Sequence, residues 1–154
     1  EVHGLEGRDA GPPPSIDLDA ERRTGDLVRD AIIAGHLTAV HDVSDGGIAV
    51  TVAEMALAGN IGALIQFPET GEACRQLFAE DQGLYVATVE DTALMDFLAN
   101  AHQAGVEVER IGRTAGSRLI FEREDGDFVV PLEDLRRAHE GFFPALMGAD
   151  AALA

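Results

Sequence analysis

The stretch His41-Asp42-Val43-Ser44-Asp45-Gly46-Gly47, running directly into Ile48–Ala58, decides how this chain folds. Before it, Leu37-Thr38-Ala39-Val40 reads as a short buried strand. After it, Ile48, Val52, Met55 and Ala56 recur at helical spacing, and Gly59 offers a left-handed stop. The first amides of a helix lack intrahelical acceptors and sit at the positive end of its dipole, so such a turn is a natural anion cradle. Two readings stand side by side. In one, Ser44 or Asp45 caps the helix while Gly46 and Gly47 make the turn. In the other, Asp42 at the strand's end and Asp45 in the loop converge as hard oxygen ligands beside the amides, suiting a Mg²⁺–phosphate pair. His41 reads as a packed strand residue, since no second histidine lies at a metal-site spacing.

Outward from the turn, helical and extended patterns alternate. Leu18 to Ala34 is a helix capped by Asp17, with Leu27, Ala31 and Ala34 on one face and Gly35 closing it. Downstream, Ile61 to Phe67 is a strand closed by Pro68, a short helix follows near Glu72 to Phe78, and Leu84 to Val89 is a strand. Asp91 caps an amphipathic helix with Leu94, Phe97, Leu98 and Ala101 on one face, ended by Gly105. Val106 to Ile111 and Arg118 to Glu122 read as strands, and Asp125-Gly126 as a hairpin-type turn into Phe128-Val129-Val130. Pro131 opens a terminal helix, within which His139 to Met147 is expected to pack as a last apolar segment. The fold class is α+β, built as α/β layers, with a mixed sheet flanked by helices. Residues 1–15, ending in Gly11-Pro12-Pro13-Pro14, read as an extended arm or linker, 16–148 as a single domain, and 149–154 as a tail.

Bulk properties narrow the function. The 154 residues suffice for one well-cored domain, and 28 acids against 11 bases give a net charge of −17. Such a surface repels nucleic acid and anionic membrane, and with one tyrosine and no tryptophan it lacks stacking platforms. No apolar run approaches the roughly 20 residues that span a bilayer, and no signal peptide is expected. The single cysteine, Cys74, excludes an internal disulfide and reads as a small hydrophobe rather than a nucleophile. Neither a Ser/His/Asp triad nor a P-loop is present, so no catalytic residue is assigned. Glu80-Asp81-Gln82-Gly83 is either a solvated turn or a loop that reads a ligand's polar groups. Arg110, Arg113 and Arg118 surround a Gly-Arg-Thr-Ala-Gly turn and read as surface charges on strand ends, phosphate binding being the alternative.

His-Asp-Val-Ser-Asp-Gly-Gly-Ile (41–48) and Ala-Glu-Met-Ala-Leu-Ala-Gly-Asn-Ile-Gly-Ala (53–63) carry a family resemblance. So do Leu-Phe-Ala-Glu-Asp-Gln (77–82), Val-Glu-Arg-Ile-Gly-Arg-Thr (108–114) and the ending 135–147. In this order they resemble the C-terminal domain of phosphoribosylformylglycinamidine synthase, in the aminoimidazole ribonucleotide synthetase-like superfamily. The resemblance implies a purine-biosynthesis ligase that uses ATP, Mg²⁺ and glutamine-derived ammonia, working in the cytoplasm. It implies upstream domains of the same chain that hold the catalytic histidine, most of the nucleotide site and the Mg²⁺ carboxylates. A chain that stops soon after Met147 suits the small form of the enzyme, whose partners are a separate glutaminase subunit and a small bridging subunit. Glu80-Asp81-Gln82 resembles the second-copy counterpart of the family's substrate-contacting loop, which the resemblance places at an auxiliary nucleotide site, with Leu84 where relatives usually carry arginine. The expected ligand-binding set is therefore Asp42, Ser44, Asp45, Gly46, Gly47, Glu80, Asp81 and Gln82, for small nucleotides, and the domain alone is expected to be inactive. A non-catalytic binding or assembly module on the same fold is the alternative.

Overall fold

The structure, a computed structural model, describes residues 16–66, 77–123 and 126–148. The expected arm, the tail, Cys74, Asp125 of the hairpin turn and most of the Glu72–Phe78 helix lie outside the described residues; Leu77 and Phe78 are helical.

Helix α1 (Leu18–Ile33) begins where Asp17 turns its carboxylate onto the free amides of Asp19 and Ala20, at 3.0 Å each. It buries Leu27 and Ala31, while Ala34, expected on the same face, falls past the last turn and is exposed. Strand β1 (Leu37–Asp42) pairs antiparallel with β3 (Tyr85–Val89). This two-stranded ribbon is not the buried strand that Leu37–Val40 suggested, for Thr38 and Ala39 are exposed on it. Helix α3 (Asp91–Ala104) joins α1 over the ribbon, where Leu27, Ala31, Phe97 and Ala101 form one buried cluster with Leu37, Val89 and Val106 against it. Leu98, expected to share that face, stays exposed at 37%. Glu90, not Asp91, takes the capping position of α3, and no side chain caps it; Asp91 is already helical and acts through the dipole instead.

Helix α2 (Gly47–Gly59) buries Thr51, Val52 and Ala56. Gly59 remains helical, and the left-handed stop is made by Asn60 (φ 49°), whose amide returns to the Ala56 carbonyl. Strands β2 (Ala63–Gln66), β4 (Gly112–Thr114), β5 (Arg118–Glu122) and β6 (Phe128–Pro131) form a four-stranded sheet in the order β4-β2-β5-β6. Only β2 and β5 run parallel, so the sheet is mixed, as the α+β reading required. The expected strand Val106–Ile111 does not form. Val106 closes α3 by bonding to the Ala101 carbonyl and packs with the α1–α3 cluster, so these residues are used in crossing between layers. Pairing with β2 begins only where Gln66 N–H reaches the Ile111 carbonyl at 2.7 Å.

Helix α4 (Leu132–Leu146) follows Pro131. Val52, Ala56, Ala63, Ile65, Leu119, Phe121 and Leu132 form the main core, joining α2 and α4 to the inner face of the sheet. Burying a side chain such as Leu119 or Phe121 contributes about 1.5–3 kcal/mol. The end of α4 departs from expectation: Phe142, Phe143, Leu146 and Met147 are 62–83% exposed rather than packed. Leu132 and Leu135 use up the contact with the core, and the helix then overhangs it. Among the described residues no helix is long and apolar enough to cross a membrane.

Candidate functional site

The ribbon brings the two sequence motifs together at one end. Asp42 stands opposite Tyr85, and Val43 N–H donates to the Leu84 carbonyl at 2.9 Å. Beyond that bond the chains continue side by side. The Gly46 amide donates to Oε1 of Glu80 at 3.0 Å, across 34 residues of sequence. Gly47 N–H bonds back to the Ser44 carbonyl at 3.0 Å and starts α2. Neither Ser44 nor Asp45 caps this helix; Gly46 occupies the capping position in a left-handed conformation (φ 84°), and the carboxylate at the helix end comes from Glu80.

Gly47 explains why a glycine pair stands here. Its φ is 66°, and a Cβ would lie 2.8 Å from the carbonyl oxygens of Leu77 and Ala79. The turn and the 77–79 backbone are therefore pressed together with no side chain between them. Below the corner, Thr51 is 2% exposed, and its hydroxyl donates to the Gly47 carbonyl at 3.0 Å, with the Asp42 carbonyl at 3.4 Å. His41 bridges outward: Nε2 lies 3.2 Å from Glu54 on α2, and Nδ1 lies 2.7 Å from the Asp42 carbonyl. It is tied into the corner as a packed residue. Thr51 and Glu54 escaped the sequence reading because both sit inside an apolar helical run. The signal was present in Thr51, a hydroxyl four residues after Gly47 on the face that the pattern assigns to the core.

The corner sorts the eight expected residues into two groups. Gly46, Gly47 and Glu80 build the joint. Asp42, Ser44, Asp45, Asp81 and Gln82 are exposed around it. The chemistry of that rim is one-sided. No arginine or lysine occurs in 41–54 or 77–85, so these two segments themselves supply carboxylates, a hydroxyl and an amide but no cation for a phosphate. Leu84, 43% exposed, adds none. A phosphate at the α2 N-terminus would have to displace Glu80 and face Asp42, Asp45 and Asp81. Nor does the pair Asp42 and Asp45 grow into a metal centre: among the described residues no three His, Cys, Asp or Glu side chains stand together to hold an ion. The arrangement suits donors instead, such as sugar hydroxyls and amino groups.

The family described as AIR synthase related protein, C-terminal domain, matches residues 3–123, which include the whole corner and the strands up to β5. The chain belongs to this family. Phosphoribosylformylglycinamidine synthase subunit PurL of Rhodopseudomonas palustris is 48% identical over 143 residues, 92% of this chain and 19% of that protein. The subunit of the same description from Parvibaculum lavamentivorans is 45% identical over 94% of the chain and 19% of its own length. This AIR synthase-related C-terminal domain thus spans about a fifth of the curated relatives it matches. Its fold is shared with Thermotoga maritima PurL complexed with ATP, at TM-score 0.70 and 16% identity over 79% of this chain and 22% of that one. The structure of PurLQS from the same organism matches at TM-score 0.70 and 16% identity, over 86% of this chain and 24% of that one.

Proposed function

We propose that this AIR synthase-related domain is the C-terminal domain of a phosphoribosylformylglycinamidine synthase of the small form. The observation that carries this is the 48% identity to a PurL subunit sustained over 92% of the chain. The whole enzyme would use ATP to phosphorylate the amide oxygen of formylglycinamide ribonucleotide, releasing ADP. Ammonia then adds to the amide carbon of this iminophosphate, and the C–O bond breaks as phosphate leaves to give the amidine. The proposal brings a glutaminase subunit and a small bridging subunit as partners, nucleotides as ligands and the cytoplasm as location. Mg²⁺ would be held by carboxylates of the upstream domains, as the family resemblance implies.

Within that enzyme the domain is a wall of the ligand cleft. Glu80 occupies the α2 N-terminus and holds the 77–83 loop in place. The exposed Asp42, Ser44, Asp45, Asp81 and Gln82 then accept hydrogen bonds from ligand hydroxyl or amino groups, and the phosphates are held by other domains. Two measurements test this. The full-length synthase should convert the ribonucleotide with ATP and free ammonia, while the 154-residue chain alone should not; a folded full-length chain without turnover rejects the enzyme reading. In calorimetric titrations of the full-length chain with substrate nucleotide, Asp45→Ala and Gln82→Ala should weaken binding about fivefold or more, roughly 1 kcal/mol. Unchanged affinity with only a lower melting temperature would leave the corner a structural joint in an assembly module.

A further inference from the structure

Every basic side chain of this acidic chain is an arginine, 11 in all, and they are not used alike. Four of the five on described helices answer a carboxylate of their own helix. Arg22 lies 3.9 Å from Asp26, Arg29 2.9 Å from Asp26, Arg136 2.6 Å from Glu140 and Arg137 3.1 Å from Glu133. By contrast, Arg110, Arg113 and Arg118 fall within nine residues of one another, and among the described residues none forms an ion pair or side-chain hydrogen bond.

The register puts two of these three on one surface. Ala63, Ile65, Leu119 and Phe121 point into the core. The alternation of a pleated sheet therefore sends Leu64, Ile120 and Arg118 to the opposite face. Arg113 stands opposite Leu64, Leu64 opposite Ile120, and Ile120 opposite Val129. The outer face is thus an apolar strip, Leu64–Ile120–Val129, with Arg113 and Arg118 on strands two spacings apart, roughly 10 Å. Neither buried cluster includes any residue of the strip, and Val129 is 42% exposed. The carboxylate of this face, Glu122, is hydrogen-bonded to Gln66 and does not answer the arginines.

An apolar strip flanked by uncommitted arginines has the composition of a protein interface core. The net charge of −17 removes nucleic acid and anionic membrane as occupants, and it makes a second, equally acidic copy repulsive. We propose that the outer face of the four-stranded sheet docks a carboxylate-bearing surface from another domain of the same synthase chain, with Arg113 and Arg118 as its charge partners. This rests on the synthase reading for the identity of the occupant.

The test is arginine footprinting on the full-length synthase with phenylglyoxal, read by peptide mass spectrometry. Arg23 on α1, exposed and without an ion pair among the described residues, is the internal reference. Arg113 and Arg118 should react at least tenfold more slowly than Arg23. Equal rates overturn the proposal. Protection that is lost on dilution overturns it too, because the occupant is then a second copy. The double variant R113E/R118E should release the domain to limited proteolysis several-fold faster, with R22E/R137E as a control that leaves the rate unchanged; an unaltered rate in R113E/R118E overturns the role of the arginines. If that variant does not fold, the footprint of the unmodified chain still decides. Ammonia-dependent turnover is measured on the same preparation: turnover without protection rejects the docking face alone, and protection without turnover rejects the synthase reading alone.

Discussion

Helices α1 and α2 begin in opposite ways. The first amides of α1 are met by Asp17, the residue immediately before the helix. At α2 the Gly46 amide is met by Glu80, which arrives from the far side of the ribbon. Both ends satisfy the same electrostatic demand, a carboxylate at the positive end of a helix. Their consequences differ. The α1 cap is local and orders one turn of one helix. The α2 cap is tertiary, so it exists only when β1, β3 and the 77–83 loop are in register, and it couples the glycine turn to that loop. A cap borrowed from a distance is therefore also a clamp, and it sets a carboxylate where a bare helix end invites phosphate.

Gly47→Ala should break this comparison most severely. The substitution forces a left-handed alanine and drives its Cβ to 2.8 Å from two backbone carbonyl oxygens. A loss of about 3 kcal/mol or more is expected in denaturant unfolding, with the 77–83 loop displaced. Next, Glu80→Ala should cost about 1–2 kcal/mol and speed hydrogen exchange at Gly46 and in the loop together. Asp17→Ala should cost about 1 kcal/mol, with faster exchange confined to the first turn of α1. Thr51→Val, which keeps the volume but removes the buried hydroxyl, should cost about 1 kcal/mol. Arg137→Ala should lie within about 0.5 kcal/mol of the parent in the same assay, because its partners Glu133 and Asp134 are exposed on the surface of α4.

The legibility of the chain follows the same division. Asp17, Gly35, the periodicity of α2 and Gly105 were readable because each acts within a few residues of itself. Errors fell where a neighbour in space intervened. Val106–Ile111 has strand composition, but the bond from Val106 to Ala101 and its packing beside α1 and α3 use it as a crossing. The apolar residues of 142–147 have core composition, but α4 runs past the core before reaching them. At Gly59 the helix continues one residue further because Asn60 also tolerates the left-handed conformation.

By itself the sequence determined that a strand, an acidic glycine turn and a helix follow one another at 37–59, and that the chain is α+β and carries the residue patterns of its family. These depend on local propensity, spacing and turn chemistry, all of which act along the chain. Only the tertiary structure decided what the turn does. Whether the Gly46 amide faces open solvent or a carboxylate depends on Glu80, 34 residues away, and the pairing of β1 with β3 is what brings it there.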